Sequence, residues 1–134
     1  FDDVAAWREA ALALLQAGAD MFHHNADQAA LGAFQAVKES KGAFIFGANL
    51  DQSALAPERV LGSAIIDLPR AFLTVAREVR AGSFTPRVET FGLKSGVIRY
   101  EANPVLEASL PEALRTAVAA ARDSISAVDG ATAP

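Results

Sequence analysis

Apolar runs too short to be helices alternate in this chain with longer segments of helical apolar spacing, and this alternation constrains the fold more than any other feature. After Asp2-Asp3, either of which can cap a helix, Val4, Trp7, Ala11, Leu14 and Leu15 recur at helical spacing up to Gly18, a natural stop. Ala19 to His23 reads as a short strand. Asn25 or Asp27 can cap a second helix carrying Leu31, Phe34 and Val37, ending near Ser40 to Gly42. Ala43 to Phe46 is a buried strand, with Phe22, Phe44 and Phe46 as core residues, and Asp51 to Glu58 is turn-rich. Val60 to Ile66 is another strand. Asp67 then sits where an N-cap belongs, Pro69 falls in the first turn, and Gly82 closes a helix whose core face is Phe72, Val75, Ala76 and Val79. Arg87 to Phe91 and Val97 to Tyr100 read as strands around the Gly92 to Gly96 turn. Ser109-Leu110-Pro111-Glu112 is a capping box opening the last helix.

Helices alternating with strands predict an α/β fold, a three-layer sandwich with a mostly parallel sheet covered on both faces. The chain opens on a helix, whereas a doubly wound unit opens on a strand, so the expected sheet lacks its first strand. Residues 1–130 are expected to form one domain and 131–134 a disordered tail. A chain of 134 residues buries roughly two-thirds of its unfolded surface, enough for a core.

A net charge of -4, with 12 scattered Lys and Arg, excludes a basic nucleic-acid footprint. The absence of cysteine excludes disulfides and thiolate metal sites and leaves the redox compartment open. No apolar stretch approaches the roughly 18 residues that span a bilayer. There is no Gly-x-Gly-x-x-Gly loop, Walker loop, Gly-x-Ser-x-Gly elbow or acidic metal triad, which weighs against a small Rossmann-like enzyme.

The apolar runs end in polar clusters: His23-His24-Asn25-Ala26-Asp27, Gly47-Ala48-Asn49-Leu50-Asp51-Gln52, Asp67, and Gly92-Leu93-Lys94. The carboxyl ends of parallel strands line one edge of a sheet, and ligands bind outside it, so these clusters are expected to form one site. Asp67 can cap its helix or accept from two ligand donors at once. Gly47 lets the backbone approach a ligand, Asn49 and Asp51 can donate or accept, and Asp51-Gln52 can equally close an Asx-type turn. Adjacent strand residues face opposite ways, so His23 and His24 are poorly placed to share a metal, and none is expected. His24 or Asn25 is expected to reach the ligand, the other histidine being packed or solvated.

Several ordered pieces resemble the basic membrane protein family of substrate-binding lipoproteins. They are Phe1-Asp2-Asp3, Gly18-Ala19-Asp20, Gly47 to Gln52, Ala56-Pro57-Glu58-Arg59-Val60-Leu61, Ile66-Asp67, Gly82-Ser83-Phe84 and Gly92-Leu93-Lys94-Ser95-Gly96-Val97. The resemblance covers nearly the whole chain and about the second half of a family member. It implies one lobe, the carboxyl-terminal one, of a type I periplasmic-binding-protein-like fold, with ligand trapped between two lobes and no catalysis or cofactor. It implies a nucleoside or purine-like ligand, an ABC importer permease as partner, and a lipid on an absent amino terminus holding the protein at the periplasmic or cell surface. The missing amino-terminal lobe would supply the other wall. By resemblance Asp67 and Lys94 are ligand contacts, and Phe1, just after the expected lost strand, faces the ligand. Asn49 stands where the family pattern is more often acidic, and the histidine pair replaces a Gly-rich segment. The alternative is a ligand-sensing domain of a regulator, although no DNA-binding helix pair is present.

Overall fold

The computed structural model describes residues 2–128, so Phe1 and the tail expected over 131–134 lie outside the described residues. The elements run α1 (Val4–Gln16), β1 (Met21–His23), α2 (Ala30–Glu39), β2 (Phe44–Asn49), a 3₁₀ turn (Ser53–Leu55), β3 (Val60–Ile66), α3 (Leu68–Arg80), β4 (Ile98–Ala102), α4 (Pro104–Glu107) and α5 (Glu112–Val128). The class is α/β, as the alternation requires, with a mostly parallel sheet in the order β1-β2-β3-β4. Met21, Phe22 and His23 lie opposite Phe44, Ile45 and Phe46 in parallel register. The Asn103 N–H bonds the Leu61 carbonyl while the Asp67 N–H bonds the Val97 carbonyl. Later residues of β3 thus meet earlier ones of β4, so β4 runs antiparallel. No described helix is long and apolar enough to cross a membrane.

The chain divides into two compact units: residues up to Ala64 with Tyr100–Leu110, and Ile65–Arg99 with the residues from Pro111 onward. In the first, Asp3 opens α1 by accepting the Ala6 N–H at 2.9 Å, a cap worth about 1 kcal/mol. Phe34 and Val37 of α2 are buried with Phe22, Ile45 and Val60 from three strands, and Trp7, Leu12 and Leu15 of α1 pack against them. Each such large side chain contributes roughly 1.5–3 kcal/mol relative to exposure. Ala30, Ala33 and Ala36 are buried on the same helix, and α1 comes so near to Gly32 that a Cβ there would collide with the Val4 carbonyl oxygen and the Arg8 nitrogen.

Local sequence signals were redirected at several points. Neither Asn25 nor Asp27 caps α2 through its side chain. The Asp27 carbonyl accepts the Ala30 N–H at 3.2 Å and the Gln28 carbonyl that of Leu31, so a turn winds into the helix. β2 runs past Phe46 to Asn49. Asn103, fully buried, donates to the Pro57 and Val60 carbonyls at 2.7 Å each, and its carbonyl oxygen accepts the Val105 N–H to start α4. Ser109 donates to the Leu106 carbonyl at 2.7 Å instead of forming a capping box.

In the second unit α5 begins at Glu112, with the Pro111 carbonyl accepting from Leu114 and Arg115. Asp67 caps α3 as its position required, by accepting the Arg70 N–H. The expected core face of α3 is corrected: Phe72 is 74% exposed, and Ala76 and Val79 are exposed too. The partly buried face is Ala71, Thr74, Val75 and Glu78, one position round the helix from the apolar stripe. The strand expected over Arg87 to Phe91 is also absent, the segment having no ladder partner among the described residues. Pro86 cannot donate to a ladder. Arg87 folds back on Glu78 at 2.8 Å and on Glu89 at 2.5 Å, leaving Val88 93% exposed.

Candidate functional site

The polar end of the first unit is built around Gln52. Its Oε1 accepts the Ala48 N–H at 2.8 Å and lies 2.9 Å from His24 Nε2. Because that amide atom takes a backbone N–H, it is the oxygen, so His24 must carry its proton on Nε2 and donate. Nδ1 lies 3.1 Å from the Ala26 carbonyl oxygen and 3.4 Å from the Ala26 nitrogen. His24 is buried and meets the Phe34 ring edge-on at 5.3 Å. The histidine pair divides as strand geometry predicts: His23 is exposed, His24 packed.

The Gln52 N–H donates to Ser63 Oγ at 3.1 Å, tying the loop to β3. Gly47 passes directly over this contact. A Cβ there would collide with Ser63 Oγ and lie 2.9 Å from Gln52 Cβ, so glycine is required by close approach. Asn49 then leaves β2 at φ 69°, a left-handed conformation that asparagine tolerates better than most residues. Asp51 closes the Asx turn, accepting the Ser53 N–H at 3.0 Å. That N–H first, and the Ser53 hydroxyl second, hold the Asp51 carboxyl below the ordinary carboxylate range. Both side chains are exposed. They border a pocket of about 410 Å³ lined also by Ala26, Asp27, Leu31 and Gln52, while Asn25 is exposed beside it in sequence. The result is a braced loop presenting one amide and one carboxylate.

In the second unit Asp67 uses both carboxylate oxygens. Oδ1 accepts the Arg70 N–H at 2.9 Å and Oδ2 accepts from Arg99 Nη1 at 3.1 Å. The Arg70 N–H is the larger cause of a lowered Asp67 pKa, and Arg99 adds to it. Lys94 is exposed in the turn Leu93 to Gly96. Ser95 sets that turn by donating to the Gly92 carbonyl at 2.7 Å and accepting the Val97 N–H at 3.2 Å. Since Arg87 to Phe91 is no strand, Lys94 stands in a turn entering β4 and not at a strand's carboxyl end.

Three structural residues escaped the sequence reading in their main roles: Gln52, Ser63 and Asn103. Ser63 carried a signal, being a hydroxyl inside the apolar run Val60 to Ile66. Gln52 and Asn103 carried none, because their partners lie far away in sequence.

Residues 1–128 match the family model described as Bmp, ABC transporter substrate-binding protein PnrA-like. Basic membrane protein A2 of Borrelia garinii subsp. bavariensis is 35% identical over 107 residues, which are 78% of this chain and 32% of that protein. The chain thus spans about a third of the length of that relative. Among solved structures, an ABC transporter solute-binding protein from Aeropyrum pernix aligns with TM-score 0.66 at 26% identity, covering 87% of this chain and 33% of that one. A transcriptional activator of the comK gene from Bacillus halodurans aligns with TM-score 0.79 at 20% identity, covering 98% of this chain and 44% of that one, a likeness of fold.

Proposed function

We propose that this chain, which belongs to the Bmp family of PnrA-like ABC transporter substrate-binding proteins, is part of a solute receptor for a nucleoside or purine-like molecule. The receptor works by binding and carries out no chemistry. Ligand sits between this lobe and an amino-terminal one, closure of the two makes the form that an importer permease recognises, and a lipid on the amino terminus holds the receptor at the periplasmic or cell surface.

The observation that carries this reading is the loop from Gly47 to Gln52, fixed from behind by His24 and Ser63. A ligand of this kind carries hydroxyls and ring nitrogens with fixed directions. An ionised Asp51 accepts from hydroxyls or ring N–H groups, and the Asn49 amide both donates and accepts. Charge-assisted bonds of this kind are roughly twice as strong as neutral ones. His24 acts here by holding Gln52. In the second unit Asp67 and Lys94 are the proposed contacts, Asp67 through the acceptor capacity left on its carboxylate.

The test is a heat-stability screen of the full-length protein against nucleosides and free bases, with product analysis after incubation. Stabilisation by a nucleoside or base without product supports the receptor. Turnover, or no stabilisation by any of them, overturns it.

A further inference from the structure

A second concavity lies wholly within the second unit, between α3 and the segment from Phe91 to Ser95. It has a volume of about 580 Å³ and is lined by Arg70, Leu73, Thr74, Arg77, Phe91 and Ser95, with Asp67 and Pro69 at its margin. Arg70 and Arg77 are seven residues apart, two turns of α3, and so lie on one face.

Most arginines of this chain are answered by an acceptor. Arg87 is held by Glu78 and Glu89, Arg99 by Asp67, Arg8 by Glu39, Arg122 by Asp123, and Arg59 by the Ser40 carbonyl. The guanidiniums of Arg70 and Arg77, like those of Arg80 and Arg115 outside the groove, have no carboxylate bonded to them among the described residues. The Arg70 guanidinium lies over Gly96. Its Cζ lies 3.0 Å, and its Nη atoms 3.3 Å, from where a Cβ on Gly96 would sit. Gly96, at φ 71°, leaves a shelf that the planar guanidinium covers.

The hydroxyls in the groove are already donors elsewhere: Thr74 to the Arg70 carbonyl and Ser95 to the Gly92 carbonyl. What remains for a ligand is therefore two guanidinium forks in a groove lined also by the apolar Pro69, Leu73 and Phe91. The one carboxylate at the margin, Asp67, is paired with Arg99 at 3.1 Å, and its charge acts more weakly on Arg70.

We propose that this groove binds a small organic anion, its carboxylate or phosphate on the Arg70 and Arg77 guanidiniums and its apolar body on Leu73 and Phe91. Guanidinium suits both anions because its fork matches two acceptor oxygens. The inference does not rest on the nucleoside reading, since a nucleoside is uncharged.

The test titrates the full-length protein with phenylacetate, phenyl phosphate and uncharged phenylethanol while following backbone amide resonances. Saturable shifts confined to residues 67–77 and 91–96, from either anion and not from phenylethanol, support the site. A response to only one of the two anions identifies its headgroup. Arg77→Ala should weaken binding by about tenfold, the loss expected for one charge-assisted contact, with an unchanged melting midpoint because Arg77 is exposed. Arg77→Lys should restore part of the affinity, as a point charge without the fork. No saturable shift, equal shifts from phenylethanol, or unaltered affinity in Arg77→Ala would overturn the proposal.

Discussion

Gln52 Oε1 receives both the His24 Nε2–H at 2.9 Å and the Ala48 N–H at 2.8 Å, so one side-chain oxygen joins the end of β1 to the end of β2. The ladder between them pairs Met21, Phe22 and His23 with Phe44, Ile45 and Phe46, and the Phe44 N–H bonds the Asp20 carbonyl just before it. The brace ties the loop that follows β2 to the end of β1.

Gln52→Ala leaves a buried histidine N–H unpaired. Such a group costs about 1–3 kcal/mol, and urea unfolding should show a loss in that range. Gln52→Glu keeps the acceptor and should retain most of the stability. Equal stability of Gln52→Ala and the parent would mean the brace contributes nothing.

Gly47→Ala places a methyl against Ser63 Oγ and Gln52 Cβ. Overpacking of this kind destabilises by roughly 1–3 kcal/mol. In a double-mutant cycle Ser63→Ala should relieve part of the loss, since the two sites touch and do not add independently. Strict additivity would show that the collision is avoided some other way.

Much of the fold was legible because it was local. Asp3 and Asp67 cap as their positions demand, and Val60 to Ile66 is the strand its apolar character required. The failures were non-local. Arg87 to Phe91 alternates like a strand, yet a strand needs a partner, and Arg87 found Glu78 and Glu89 instead. The α3 stripe through Phe72 has helical spacing, but spacing cannot say which face meets protein. At the site, the Asx turn of Asp51 was readable within three residues. The contacts of Gln52 with His24 and Ser63 join residues 28 and 11 apart, which no local pattern encodes.

The exposure of the α3 apolar stripe can be measured. Phe72→Ser changes a residue that is 74% exposed, so its effect on the thermal unfolding of this chain should stay within about 0.5 kcal/mol, as for ordinary surface sites. A loss of roughly 3 kcal/mol or more, the cost of truncating a core phenylalanine, would restore Phe72 to the core.

Asp67 should make stability depend on acid. Its folded pKa is depressed, chiefly by the Arg70 N–H and then by Arg99, from a reference of 3.8. A depressed carboxyl stabilises fully above its unfolded value and loses that contribution as pH falls through the folded one. The difference in melting midpoint between the parent and Asp67→Ala should therefore be larger at about pH 6 than at about pH 2. A difference independent of pH would show that Asp67 acts without its charge.

Recognition of a nucleoside or purine-like ligand by the loop from Gly47 to Gln52 is decided by calorimetric titration of that ligand into the full-length protein and its Asp51→Ala variant. Loss of one charge-assisted contact predicts a Kd weakened by about tenfold or more, beyond a modest loss of heat stability in the unliganded protein from the Asx turn that Asp51 closes on the Ser53 N–H. Equal affinity in the parent and in Asp51→Ala would contradict the account.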